Sequence, residues 1–73
     1  MNVVETKVIY ISGIENETQQ KHIEQRLMQL HGVDQVNIEI KSNNGKIFIN
    51  FETPASLNNL EKEVYDLGYE ILY

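Results

Sequence analysis

Apolar side chains recur along this chain with two different periods, and the switches between them divide it into strands and helices. From Val4 to Ile11 the residues are β-branched or otherwise strand-compatible, and Gly13 breaks the run, which predicts a first strand followed by a loop. Ile23, Leu27 and Leu30 then recur at i, i+4 and i+7, with Glu24, Gln25 and Gln29 on other faces and Gly32 just past the expected end. This spacing predicts a helix from about Glu17 to His31. Val36, Ile38 and Ile40 alternate with Asn37 and Glu39, a half-buried strand, and Ser42-Asn43-Asn44-Gly45 reads as a turn whose Asn-Gly pair tolerates positive φ. Ile47, Ile49 and Phe51 alternate with Phe48 and Asn50, so the third strand has one aliphatic face, and Phe48 is the exception on the other.

Glu52-Thr53-Pro54-Ala55-Ser56 should stop that strand and start a second helix, with Pro54 in its first turn and Thr53 or Ser56 as cap. Leu57, Leu60, Val64 and Leu67 form its buried stripe, Gly68 ends it, and Tyr69 to Tyr73 make a short final strand. Two helices with one apolar stripe each need a shared surface, which a four-stranded antiparallel sheet provides on one face. The expected fold is therefore α+β, a ferredoxin-like βαββαβ sandwich spanning residues 1–73 as a single domain, with the first and third strands in the middle of the sheet. The other sheet face stays open. If Ile9 and Ile11 face the helices, then Val8, Tyr10 and Phe48 project from the open face as a contiguous patch, a candidate contact surface for a protein partner or a homodimer.

Composition narrows the chemistry. A chain of 73 residues buries only about 60% of the surface its unfolded form exposes. Having no cysteine and no histidine-rich tract, it must be held by aliphatic burial rather than disulfides or a structural zinc cluster. Six basic against eleven acidic residues give a net charge of −5, which speaks against nucleic-acid binding and suits a basic protein partner, a cation or simple solubility. No apolar run reaches the roughly 18 residues of a membrane span, and the amino terminus lacks the pattern of a secretory signal, so the expected location is cytoplasmic, away from membranes. No cysteine nucleophile, Ser-His-carboxylate grouping or phosphate-cradling glycine loop is present, and the expectation is a protein that is not an enzyme.

Gly13-Ile14, the segment from Leu27 through Gly32-Val33 to Val36, and the closing Leu67-Gly68-Tyr69 together resemble the heavy-metal-associated (HMA) domains of copper chaperones and metal-transporting P-type ATPases. The resemblance covers about residues 8 to 72. It implies a first loop of the form Gly-Met-x-Cys-x-x-Cys, in which two thiolates hold Cu(I) or a similar soft cation. Here the segment is Gly13-Ile14-Glu15-Asn16-Glu17-Thr18-Gln19, with Asn16 and Gln19 at the two cysteine positions. Neither offers a thiolate. Asn16 at the N-cap and Gln19 at N3 instead make a capping-box arrangement for the helix, and Glu17 complements its dipole.

The expectation that follows is an HMA-like domain without thiolate metal binding and with no cofactor, working as a non-catalytic protein-interaction module. The alternative is a metal-binding or chaperone protein that holds copper or zinc through oxygen and nitrogen ligands, for which Glu15, Glu17 and His22 are the nearby donors. His22 and His31 cannot share an ion, since nine residues at about 100° each put them on opposite sides of the helix. Ile14 adjoins the loop, and the resemblance places Tyr69 beside it, where the plainer reading is a core tyrosine with its hydroxyl at the rim. The central-strand aromatics also invite comparison with RNA-recognition motifs, but the glycine-aromatic signature and the basic surround are missing.

Overall fold

A computed structural model describes residues 3–72. The chain runs β1 (Glu5–Ser12), α1 (Glu17–Met28), β2 (Val33–Lys41), β3 (Asn44–Phe51), α2 (Leu57–Asp66) and β4 (Glu70–Leu72). The four strands form one antiparallel sheet in the order β2-β3-β1-β4, with β3 and β1 at its centre, which is the ferredoxin-like βαββαβ arrangement.

The alternation within the strands sets the layers. Ile9 and Ile11 of β1, Ile38 of β2 and Ile47, Ile49 and Phe51 of β3 point to the helix side, where Ile23 and Leu27 of α1 and Leu60 and Val64 of α2 complete a single buried cluster. Each such side chain contributes about 1.5–3 kcal/mol by leaving water. No buried side-chain polar atom among the described residues lacks a partner, so no orphaned polar group offsets that gain. Across the helix layer Arg26 donates to Glu63 from Nε at 3.1 Å and also from Nη2, tying α1 to α2.

Several boundaries differ from the sequence expectation, each for a local reason. β1 begins at Glu5, one residue after Val4. α1 stops at Met28 rather than His31, because Gln29 caps it and Leu30-His31-Gly32-Val33 folds into a turn closed by the Val33 N–H on the Leu30 carbonyl, 3.2 Å. Gly32 serves that turn with φ +100°, as i+2 of a type II turn requires. Its carbonyl accepts the Glu52 N–H at 2.8 Å, and a Cβ there would lie 2.2 Å from the Glu52 carbonyl oxygen. β2 consequently starts early, at Val33, with an irregularity between Val33 and Gln35.

The hairpin turn is Ser42-Asn43, with φ of 53° and 64°, and not Asn44-Gly45, which already pair with Lys41 and Ile40 in the ladder. Two consecutive positive φ values give the type I′ geometry that matches strand twist. Pro54 lies outside α2 and follows a cis peptide bond, and Ser56 rather than Thr53 is the cap, its Oγ accepting the Asn59 N–H at 3.2 Å. β4 is shorter than expected, Glu70–Leu72, and Tyr73 lies outside the described residues.

Candidate functional site: the β1–α1 loop and the open sheet face

The loop between β1 and α1 is fastened at three points. At its start the N–H groups of Gly13 and Ile14 both donate to the Asn43 carbonyl of the β2–β3 turn, at 2.9 and 3.2 Å. In its middle Ile14 turns inward and is fully buried. It fits because Gly45 on central strand β3 carries no side chain, and a Cβ at that position would come within 3.0 Å of the Ile14 Cγ2. At its end Asn16 is the N-cap of α1, its Oδ1 accepting the Gln19 N–H at 2.9 Å.

Gln19 closes the arrangement from the other side. Its Oε1 accepts the N–H of Glu15 at 2.6 Å, one residue before the cap, where the expected capping box would return to Asn16 itself. Both amide oxygens, at the positions where the resemblance implies cysteines, thus hold backbone N–H groups, that of Gln19 in the first turn of α1 and that of Glu15 in the loop. A neutral amide oxygen is a hard, weak donor, whereas a soft monovalent cation is held by charged sulfur. These two residues do not fit thiolate-type metal binding.

The oxygen and nitrogen candidates are dispersed. Glu15, Glu17 and His22 are all exposed, and Glu17 pairs with Lys21 one turn along the helix at 3.5 Å. Five residues at about 100° each place Glu17 and His22 roughly 140° apart around α1. Among the described residues no group of three His, Asp or Glu side chains is close enough to share a metal ion. Tyr69 is a core residue in the same buried cluster as Ile14, and burial pushes its hydroxyl above the ordinary value of 10.0. Beside it Tyr65, Gly68, Tyr69, Glu70 and Ile71 line an open groove of about 490 Å³.

The opposite sheet face is ordered in rows. Val8 pairs directly with Phe48, and Phe48 with Asn37. On one side of this row Thr6 donates to Asn50 at 2.8 Å and Asn50 to Gln35 at 3.2 Å. On the other side Leu72, Tyr10, Lys46 and Glu39 lie abreast, with the Lys46 ammonium 5.9 Å from the centre of the Tyr10 ring. Val8 is 37% and Tyr10 47% exposed, while Phe48 is half-buried among its neighbours. Sequence reasoning grouped Val8, Tyr10 and Phe48 but missed Leu72 and Lys46, which only the strand register brings beside Tyr10. It also missed Asn43 and Gly45 as parts of the loop's support, although a glycine in a central strand is itself a signal of close approach.

Comparison with solved structures now bears on this geometry. The structure of the CsoZ metallochaperone superposes with a TM-score of 0.89 at 42% sequence identity, over 97% of this chain and 100% of that one. The chain belongs to the family of that metallochaperone, a heavy-metal-associated-like family. Two more distant structures share the HMA fold: apo-CopP from Helicobacter pylori, with TM-score 0.78 and 16% identity over 93% of this chain and 100% of that one, and oxidized MerP from Ralstonia metallidurans CH34, with TM-score 0.70 and 18% identity over 93% and 96%. No protein-family model matches the chain, and no curated protein does. No helix among the described residues is long and apolar enough to cross a membrane.

Proposed function

We propose that this HMA-like chain is a non-catalytic member of its metallochaperone family that acts by docking onto a partner protein, without the thiolate transfer of a soft metal ion. The observation that carries the reading is the state of the β1–α1 loop. Asn16 and Gln19 stand where the family resemblance expects two cysteines, and both of their oxygens close the loop on itself. What remains available is a surface. The Val8-Phe48 row with Tyr10 and Leu72 is an apolar centre bordered by the Thr6 hydroxyl with the Asn50 and Gln35 amides and by Lys46 and Glu39, the arrangement of an interface core with a polar rim. The net charge of −5 favours a partner of basic character, and the proposed location is the cytoplasm. Phe48→Asp is the direct test: it should abolish capture of the partner while the variant stays folded, and unchanged capture with unchanged sedimentation would sink the docking face.

One observation favours a second reading. The 42% identity to a metallochaperone supports metal delivery; in this chain the ligands would be oxygen and nitrogen, with Glu15, Glu17 and His22 as donors and copper or zinc as cargo. Their dispersal around the loop and α1 weighs against it. Competition against a chromophoric chelator separates the two: docking without metal predicts that the chelator keeps all Cu(I) and Zn²⁺, and metal delivery predicts one equivalent withdrawn.

A further inference from the structure

β1 is paired along all eight of its residues with β3, but on its other side β4 reaches only Tyr10, Ile11 and Ser12. Among the described residues no strand lies beside Glu5–Ile9 on that side. Such an edge is a template for another strand. Its side chains are open as well: Glu5, Thr6 and Lys7 are exposed, Val8 is 37% exposed, and Val4 just before the strand is 51% exposed.

The sequence of this edge, Val4-Glu5-Thr6-Lys7-Val8, is complementary to its own reverse. We propose that it pairs with the same segment of a second copy of this chain, antiparallel and with the two-fold axis at Thr6. In that register Glu5 lies opposite the partner's Lys7 and Val4 opposite the partner's Val8, each pair occurring twice as a two-fold interface requires. Opposite charges facing across strands stabilise and like charges disfavour, so the register is selected: centring on Glu5 or on Lys7 sets like charges face to face. An edge lysine ordinarily blocks pairing, and here the partner's Glu5 neutralises it.

The apolar pairs add continuity. Val8 already faces Phe48 on the open side of the sheet, so the partner's Val4 extends that row across the two-fold axis and covers two exposed valines per copy. A pair of five-residue strands buries far less than the ~1,200 Å² at the lower end of stable interfaces, so the dimer is weak and forms towards millimolar concentration. This dimer uses the edge rather than the centre of the sheet face and does not depend on the docking reading above.

Charge reversal tests the proposal. In a dilution series from millimolar to micromolar at low salt, the wild type should show concentration-dependent amide shifts confined to residues 4–8 and sedimentation moving towards a dimer. Glu5→Lys and Lys7→Glu should each weaken association by about tenfold or more. An equimolar mixture of the two variants, and the double variant E5K/K7E, should regain it. Glu5→Lys also makes the chain less negative than −5, so a nonspecific charge effect would strengthen association, the opposite sign. Absence of concentration dependence in the wild type, shifts along β2 instead, or failure of the mixture and the double variant to recover would each overturn the proposal.

Discussion

Asn16 and Gln19 hold one another in place: the Asn16 side chain accepts the backbone N–H of Gln19 at 2.9 Å, and the Gln19 side chain reaches back to the N–H just ahead of Asn16, that of Glu15, at 2.6 Å. The pair closes the first turn of α1 and satisfies the backbone N–H groups of Glu15 and Gln19. Replacing Asn16 by Ala should cost about 1 kcal/mol of stability, and Gln19→Ala less, since the Glu15 amide it releases is exposed to water. Urea denaturation of the two variants measures both.

Placing sulfur at these two positions should create metal binding. In the double variant N16C/Q19C the backbone support of the loop, from the Asn43 carbonyl and the Ile14 side chain over Gly45, is untouched. Thiolates at a helix N-terminus are favoured by its dipole and suit a soft cation. The variant should bind Cu(I) stoichiometrically in chelator competition. A variant that folds but binds none would show that the loop departs from a metal site in shape as well as in ligands.

Gly13 and Gly32 share a left-handed backbone, φ +88° and +100°, but not the same surroundings. Around Gly13 a Cβ would meet nothing within 4 Å, so Gly13→Ala should carry only the conformational cost of about 1 kcal/mol. At Gly32 it would collide with the Glu52 carbonyl oxygen, and the turn and the β3–α2 connection would have to separate. Gly32→Ala should cost upward of about 3 kcal/mol in thermal or chemical denaturation.

Tyr69 sets an alkaline limit. Burial raises its pKa above the ordinary 10.0, so near and above that pH the unfolded chain releases the phenolic proton while the folded one keeps it. The stabilisation is complete below pH 10.0 and is lost as pH rises through the folded-state value. Spectrophotometric titration should show one tyrosine ionising late, and Tyr69→Phe should remove that phase and flatten the alkaline fall in stability.

The layers were legible because their determinants are local. Ile9, Ile11, Ile47, Ile49 and Phe51 alternate strictly, and Ile23 with Leu27 and Leu60 with Val64 keep helical spacing, so the buried face of each element can be read from its own residues. The cap at Asn16 was legible for the same reason. What was not legible depends on approach between segments distant in the chain. Gly32 reads as a helix terminator until Glu52 is seen stacked against it, and Asn44-Gly45 reads as a turn until Ile14 is seen to need the room over Gly45. The open-face row of Leu72, Tyr10, Lys46 and Glu39 likewise exists only through strand order and register.

Whether the β1–α1 loop closes its own backbone in place of capturing metal is read out by an amide NMR titration of the protein with Cu(I) and then Zn²⁺. The amide signals of residues 13 to 22 and Tyr69 should keep their positions through one equivalent of each ion. Stoichiometric shifts at those residues with micromolar metal would contradict it and establish a metal site built from amide, carboxylate or imidazole donors.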